Sequence, residues 1–190
     1  MAVDRAVETR GRFVDTRAPR SEAQARVTDS NPSESNRTDS TERAVAFERE
    51  LLADIPLARA MALSVAAYDG YSLTLAAPLA PNINDKGCAF GGSLASLMTL
   101  AGWGLLKLAV DARGLDCDIY VQDSTVRYLA PVWQDFGAVA QLDEDSSFDE
   151  FFAALRTRGK GRLRVRCRVA LPDGGDAATL EARFVALAKR

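Results

Sequence analysis

The sequence predicts an α+β domain in which one long apolar helix is wrapped by an antiparallel sheet of about six strands. Three observations predict it. Residues 91–113 carry the longest helical pattern, with Leu94, Leu97, Met98, Ala101, Leu105 and Leu108 recurring every three or four positions. Elsewhere, short segments alternate apolar and polar residues with the period of a strand. Most of these segments are joined by short turns, which favours antiparallel pairing over βαβ crossovers.

The chain has 190 residues, enough for one ordinary domain. Its first 43 residues hold only 11 apolar residues against 16 charged ones, 8 of each sign. Such a stretch buries too little surface to offset its ordering entropy, so 1–43 reads as a disordered polar tail and 44–190 as the folded domain. At Thr41 the pattern changes. A polar start followed by Ala44, Phe47, Leu51 and Leu52 at helical spacing predicts a helix over 41–53, ended near Ile55-Pro56.

A hairpin follows. Leu63, Val65 and Ala67 alternate, Asp69-Gly70 offers two residues tolerant of positive φ, and Leu73, Leu75 and Ala77 alternate on the return. Pro78 and Pro81 stop the strand, and a loop runs through residues 82–87. The long helix comes next, about 34 Å at 1.5 Å per residue. Gly102 and Gly104 each cost about 1 kcal/mol against Ala in its interior, so something must approach it closely there. Strands are expected over 119–129 and 133–142. Ser147-Phe148-Asp149-Glu150 matches a capping box, opening a helix to Arg158 that stops at Gly159. From Arg162 the alternation is strict, Leu163, Val165, Cys167, Val169 and Leu171 facing one way and four arginines the other. Pro172-Asp173-Gly174-Gly175 turns the chain into a last strand with Leu180, Ala182 and Phe184.

Composition excludes several chemistries. The chain has no histidine, which removes Ser-His-Asp and Cys-His catalysis, His-ligated metals and imidazole acid–base work. Cys88, Cys117 and Cys167 form no zinc or redox spacing and read as free thiols of a reducing cytoplasm. No metal and no cofactor is expected. A formal net charge of -2 argues against nucleic acid as the main partner. No uninterrupted apolar run reaches about 18 residues, so no membrane span is expected. The N-terminus lacks the apolar core of a secretion signal, and its acids argue against a transit peptide.

The junction of loop and long helix, Asn84-Asp85-Lys86-Gly87-Cys88-Ala89-Phe90-Gly91-Gly92-Ser93-Leu94, is the most informative stretch. Two glycines at a helix start leave backbone N–H groups open, and the helix dipole favours negative charge there. With the Asn84 carboxamide nearby, Gly91 and Gly92 can polarise a carbonyl and hold an oxyanion. The same residues also fit a plain packing junction with a turn-capping asparagine. Cys88 has no histidine to activate it and reads as a buried thiol. Ser93 and Ser96 lie outside any GxSxG pattern.

Residues 81–94, together with Ala101-Gly102-Trp103-Gly104-Leu105-Leu106 and Asp123-Ser124-Thr125-Val126-Arg127-Tyr128-Leu129-Ala130-Pro131-Val132, resemble the YiiD C-terminal family, a hotdog-fold group of thioesterase-like proteins. The resemblance covers about residues 45–190. It implies the wrapped-helix hotdog fold and acyl-thioester substrates, carried by coenzyme A or acyl carrier protein. It also implies homodimers, or dimers of dimers, with active sites at the subunit interface. Some members are described as malonyl-acyl carrier protein decarboxylases that help start fatty acid synthesis. The broader hotdog thioesterase pattern has an asparagine, a glycine, His-Gly-Gly at the helix start and an acid two turns in. Asn84, Gly87, Gly91 and Gly92 match it. Phe90 stands in the place of the histidine and Thr99 in that of the acid.

Those departures bear on mechanism. Hydrolysis needs a base for water, and Thr99 is not one near neutral pH. Asp123 is the best remaining carboxylate if its strand lies beside the helix start; otherwise it is an ordinary carboxylate bonded to its surroundings. Decarboxylation of a malonyl thioester needs only an oxyanion site and a poorly solvated cleft, for which Phe90, Ala89 and Met98 would form an apolar wall. A third possibility is a dimer that binds acyl groups or a carrier protein without catalysis. Residues 151–172 contain Arg156, Arg158, Lys160, Arg162, Arg164, Arg166 and Arg168 and no acid. This is either a solvated face or a docking surface, with Arg164 and Arg166 central, for coenzyme A phosphates or an acidic carrier protein.

Overall fold

The computed structural model describes residues 34–189, with side chains described from Asp39. Residues 1–33 of the expected tail lie outside them. Helix α1 spans Glu34–Asp54, so it starts seven residues before Thr41 and runs through positions that composition assigned to the tail. The residues of these early turns are polar, and an i,i+4 pair between Asp39 and Arg43 at 2.9 Å supports the helix there. Phe47 and Leu51 are buried as expected. Pro56 opens a short helix α2, Pro56–Ala60, where a missing N–H is harmless.

The chain then forms β1 (Ser64–Tyr68), β2 (Ser72–Ala77), α3 (Gly91–Asp111), β3 (Cys117–Tyr128), β4 (Phe136–Leu142), α4 (Phe148–Arg158), β5 (Lys160–Ala170) and β6 (Asp176–Ala188). The strands make one six-stranded antiparallel sheet in the order β1-β2-β4-β5-β6-β3. Helix α3 carries the chain from β2 to the far edge and packs against strands on one face of the sheet. The wrapped-helix architecture expected from the sequence is the one observed.

The β1–β2 turn differs in detail from the expected pair of positive-φ residues. Only Gly70 has positive φ, at 91°. Asp69 instead accepts the N–H groups of Tyr71 at 2.8 Å and Ser72 at 2.6 Å. Burial pushes the Asp69 carboxyl up, but these backbone donors outweigh it and hold its pKa below the ordinary value.

Leu97, Met98, Ala101, Leu105 and Leu106 of α3 are fully buried against the inward side chains of the sheet, among them Leu73, Leu75, Val165, Val169, Leu180 and Phe184. Among the described residues α3 is the one helix long and apolar enough to cross a membrane, and its burial in this core accounts for that composition. The two interior glycines have the expected cause. A Cβ on Gly102 would lie 2.9 Å from the Phe184 ring, and one on Gly104 would strike Phe47 and Leu73. Overpacking costs about 1–3 kcal/mol, more than the roughly 1 kcal/mol of helix propensity that glycine gives up.

Helix α4 begins at Ser147, whose hydroxyl accepts the Asp149 N–H at 3.1 Å, and ends at Gly159 with φ 63°. Along β5 burial alternates without a break, all four arginines pointing away from α3. Strand β3 is the exception to such regularity. It is a twelve-residue edge strand, largely exposed, with a bulge between Val121 and Asp123.

Candidate active site

The loop before α3 is a closed turn. Ile83 and Ala89 form a bridge, the Asn84 N–H donates to the Cys88 carbonyl at 2.8 Å, and the Gly87 N–H donates to the Asn84 carbonyl at 3.1 Å. Gly87 has φ 84°, a conformation that favours glycine. Asparagine suits the first position of such a turn because its side chain bonds the backbone two residues on. Here Asn84 Oδ1 accepts the Lys86 N–H at 2.8 Å, and Nδ2 lies 3.2 Å from Cys88 Sγ. The second Nδ2 hydrogen has no acceptor among the described residues. Asn84 is half-buried and Asp85 is an exposed loop residue, ion-paired with Lys86.

A residue that sequence reasoning passed over anchors this turn. Asn82 is buried and donates through Nδ2 to the carbonyls of Met61 at 2.9 Å and Pro78 at 2.8 Å. Its backbone carbonyl accepts the Phe90 N–H at 2.7 Å, while the Ala89 N–H donates to Val132 at 2.8 Å. The chain is therefore fixed on both sides just before the helix begins.

Phe90 is the N-cap residue, and no side chain caps the helix. The first intrahelical bond runs from the Leu94 N–H to the Phe90 carbonyl at 3.0 Å. Since the Phe90 N–H is already satisfied, the N–H groups of Gly91, Gly92 and Ser93 are left open at the positive end of a 21-residue helix. Aromatic rings crowd the two glycines. A Cβ on Gly91 would lie 3.3 Å from the Tyr128 ring, and one on Gly92 would overlap the Phe90 ring. The Tyr128 hydroxyl donates to the Gly91 carbonyl at 3.1 Å. Gly91 and Gly92 are thus a packing junction whose N–H groups are also unpaired. Tyr128, the only side chain hydrogen-bonded to the first turn of α3 among the described residues, was legible merely as a strand residue.

The other predicted residues divide. Phe90 is 54% exposed at the helix start, and Thr99 is partly exposed about two turns along α3. Met98 is 0% exposed, facing the sheet, so it belongs to the core and forms no wall of a cleft. Asp123 is not at the helix start. Val121 stands opposite Phe184 on the inward face, but the bulge places Asp123 opposite Arg183 on the outward face. There it pairs with Arg183 at 3.6 Å. It is also five residues from Tyr128, about 17 Å along the strand. Arg164 and Arg166 project from the face opposite α3, so one chain does not bring them to the helix start either. Arg166 is held by Asp143 at 2.9 Å, which keeps the Asp143 carboxyl below its ordinary pKa.

Comparison with known proteins places this geometry. A family described as "Putative thioesterase (yiiD_Cterm)" matches residues 44–188. The chain belongs to this family. A crystal structure of a protein from Shewanella oneidensis, described as a putative thioesterase, is 28% identical, with a TM-score of 0.69 over 77% of this chain and 99% of that one. A protein of unknown function from Chlorobaculum tepidum TLS is 26% identical, with a TM-score of 0.74 over 79% and 97%. The PaaI protein of the E. coli phenylacetic acid degradation operon is 13% identical, with a TM-score of 0.57 over 80% and 96%, and shares the fold alone. The YiiD C-terminal domain here is therefore a hotdog fold. Its helix start has the matching asparagine and glycines, with Phe90 and Thr99 in place of a histidine and an acid.

Proposed function

We propose that this protein acts on acyl thioesters, binding the thioester carbonyl at the start of α3. The supporting observation is the set of open N–H groups on Gly91, Gly92 and Ser93, at the end of the turn in which the Asn84 carboxamide keeps one unused N–H. Donors fixed before the reaction stabilise charge that develops on a carbonyl oxygen, and each is worth about 3–4 kcal/mol in the transition state. The family description favours hydrolysis, in which water splits an acyl-CoA or acyl-carrier-protein thioester into the acid and the free thiol of coenzyme A or the carrier.

A second reading has its own support. Asp123 faces away, Thr99 is a hydroxyl, Asp85 is paired with Lys86, and the chain has no imidazole, so none of these residues is a free base for water at the open N–H groups. Decarboxylation of a malonyl thioester requires none. The bond to the carboxylate carbon breaks, carbon dioxide leaves, and the electron pair passes into an enolate whose oxygen the same donors hold. A proton from water then gives the acetyl thioester.

A homodimer fits either reading. Strand β3 is an edge strand with Tyr120 and Val121 exposed, and an unpaired edge of this length is a template for a second copy. Such a pairing would bring partner residues toward the site.

Mass spectrometry on purified protein incubated with acetyl, malonyl and longer acyl thioesters tests the reading. Free thiol indicates hydrolysis, and an acetyl thioester with released carbon dioxide indicates decarboxylation. No product from any substrate overturns catalysis and leaves a dimer that binds acyl groups or a carrier.

A further inference from the structure

The outward face of the sheet carries cations that are not neutralised evenly. On β5, Arg166 is gripped by Asp143 at 2.9 Å and Glu144 at 3.2 Å, and Arg168 by Asp176 at 3.3 Å. Nearer the other end, Arg162 bonds only the neutral Gln122 carbonyl, at 3.0 Å. The Arg164 side chain forms no ion pair within 4 Å among the described residues, although its charge reaches Asp143, which Arg166 already holds, and it stands directly opposite Arg183 on β6. Arg183 itself has only a long contact to Asp123 at 3.6 Å. Like charges directly opposite one another destabilise a sheet, so this arrangement works against the isolated fold.

From this we infer that the outward face around Arg162, Arg164 and Arg183 docks an acidic α-helix of a partner protein. Successive outward residues on a strand are about 6.6–6.8 Å apart. Carboxylates at every fourth position of a helix are about 6 Å apart along its axis, so a helix lying along β5 meets the arginines in turn. The rim of the patch decides against a phosphate backbone. Asp123, Glu181, Asp143 and Glu144 ring these arginines and repel a continuous polyanion, whereas a protein can set basic residues against them. The full chain is also net negative, at -2. A second copy would place Arg164 and Arg183 against the same cations. The inference does not rest on the proposed thioester chemistry, because this face is turned away from α3.

The test is fluorescence anisotropy with the full chain. The probes are a labelled helical peptide with glutamate at every fourth position, the same peptide with glutamine there, and a single-stranded DNA of equal length. The glutamate peptide is expected to bind, to weaken as salt rises, and to lose roughly tenfold or more in affinity on Arg164→Glu or Arg183→Glu. Arg168→Glu, a position already paired with Asp176, is expected to have a much smaller effect. Circular dichroism confirms that each exposed substitution leaves the fold intact. Equal binding of the glutamine peptide, no binding, tighter binding of the DNA, or the same loss from Arg168→Glu as from Arg164→Glu would overturn the inference. So would salt-sensitive self-association abolished by Arg164→Glu, which assigns the face to a second copy.

Discussion

The Tyr128 hydroxyl and the Gly91 carbonyl, 3.1 Å apart, tie the last residue of β3 to the first residue of α3. The tyrosine ring fills the space that a side chain at residue 91 would need. The bond therefore sets where the open N–H groups stand relative to the sheet edge. Tyr128→Phe keeps the ring and removes the bond. Because the pair is exposed, its loss costs at most about 1 kcal/mol, or about 2–4 °C in Tm for a chain of this size. Turnover is expected to fall several-fold through kcat with little change in KM, since position rather than binding is lost. Steady-state kinetics beside a thermal melt check this, and an unaltered kcat removes Tyr128 from the site.

Asn84 holds its turn with the side-chain oxygen and is proposed to act on a substrate through the nitrogen. Two substitutions separate these roles. Asn84→Asp keeps an acceptor for the Lys86 N–H but donates nothing to a substrate oxygen. It is expected to stay within about 1 kcal/mol of the parent in stability while losing roughly 10² or more in turnover. Asn84→Ala is expected to lose both. A wild-type rate for Asn84→Asp, measured on any thioester that the parent turns over, would confine Asn84 to the turn.

Much of the fold was legible because local patterns and global packing agree. The spacing of Leu94, Leu97, Met98, Ala101 and Leu105 marked α3, and the alternation from Arg162 marked β5. The costly glycines at 102 and 104 signalled close approach, and Phe184, Phe47 and Leu73 supply it. The site was less legible, for specific reasons. Period-two reading puts Asp123 on the face of Val121, but one extra residue in the strand reverses it, and nothing local in Val121-Gln122-Asp123 announces a bulge. Met98 fits the apolar stripe equally well as core or as cleft wall, and only the sheet overhead decides. Asn82 looks like one more loop residue between Pro81 and Ile83, since its carbonyl partners are distant in sequence at Met61 or belong to a proline. The early start of α1 was hidden by its polar residues, which carry no apolar stripe at helical spacing.

Gly104→Ala tests the packing at the centre of α3. Propensity alone predicts a gain of about 1 kcal/mol. The new Cβ, however, meets both Phe47 from α1 and Leu73 from β2, and neither is the free end of an exposed side chain. The expected outcome is a net loss of about 1–2 kcal/mol in urea unfolding with an unchanged m-value. A stabilised variant would mean that α1 yields readily and is not locked to the helix.

Cys167 gives the protein a defined response to alkali. It lies on the inward face of β5 beside Gly102, and burial pushes its thiol pKa up to about 12. In the unfolded chain a cysteine titrates near 8.5. A folded pKa above the unfolded one means that the contribution to stability is complete below about 8.5 and is lost as pH rises toward 12, because the unfolded state releases its proton first. The loss approaches about 1.4 kcal/mol per pH unit within that window. Cys167→Ala removes this dependence while leaving a small cavity. The stability difference between parent and variant is therefore expected to be constant from neutral pH to about 8 and to shrink steadily above 8.5. Denaturant titrations of both proteins across that range measure it directly. The native thiol should correspondingly resist alkylation until the protein unfolds, since the thiolate is the reactive form and is suppressed in the core. A difference that stays level above pH 9, or rapid alkylation of Cys167 in the native state, would show that water reaches the face of β5 packed against α3.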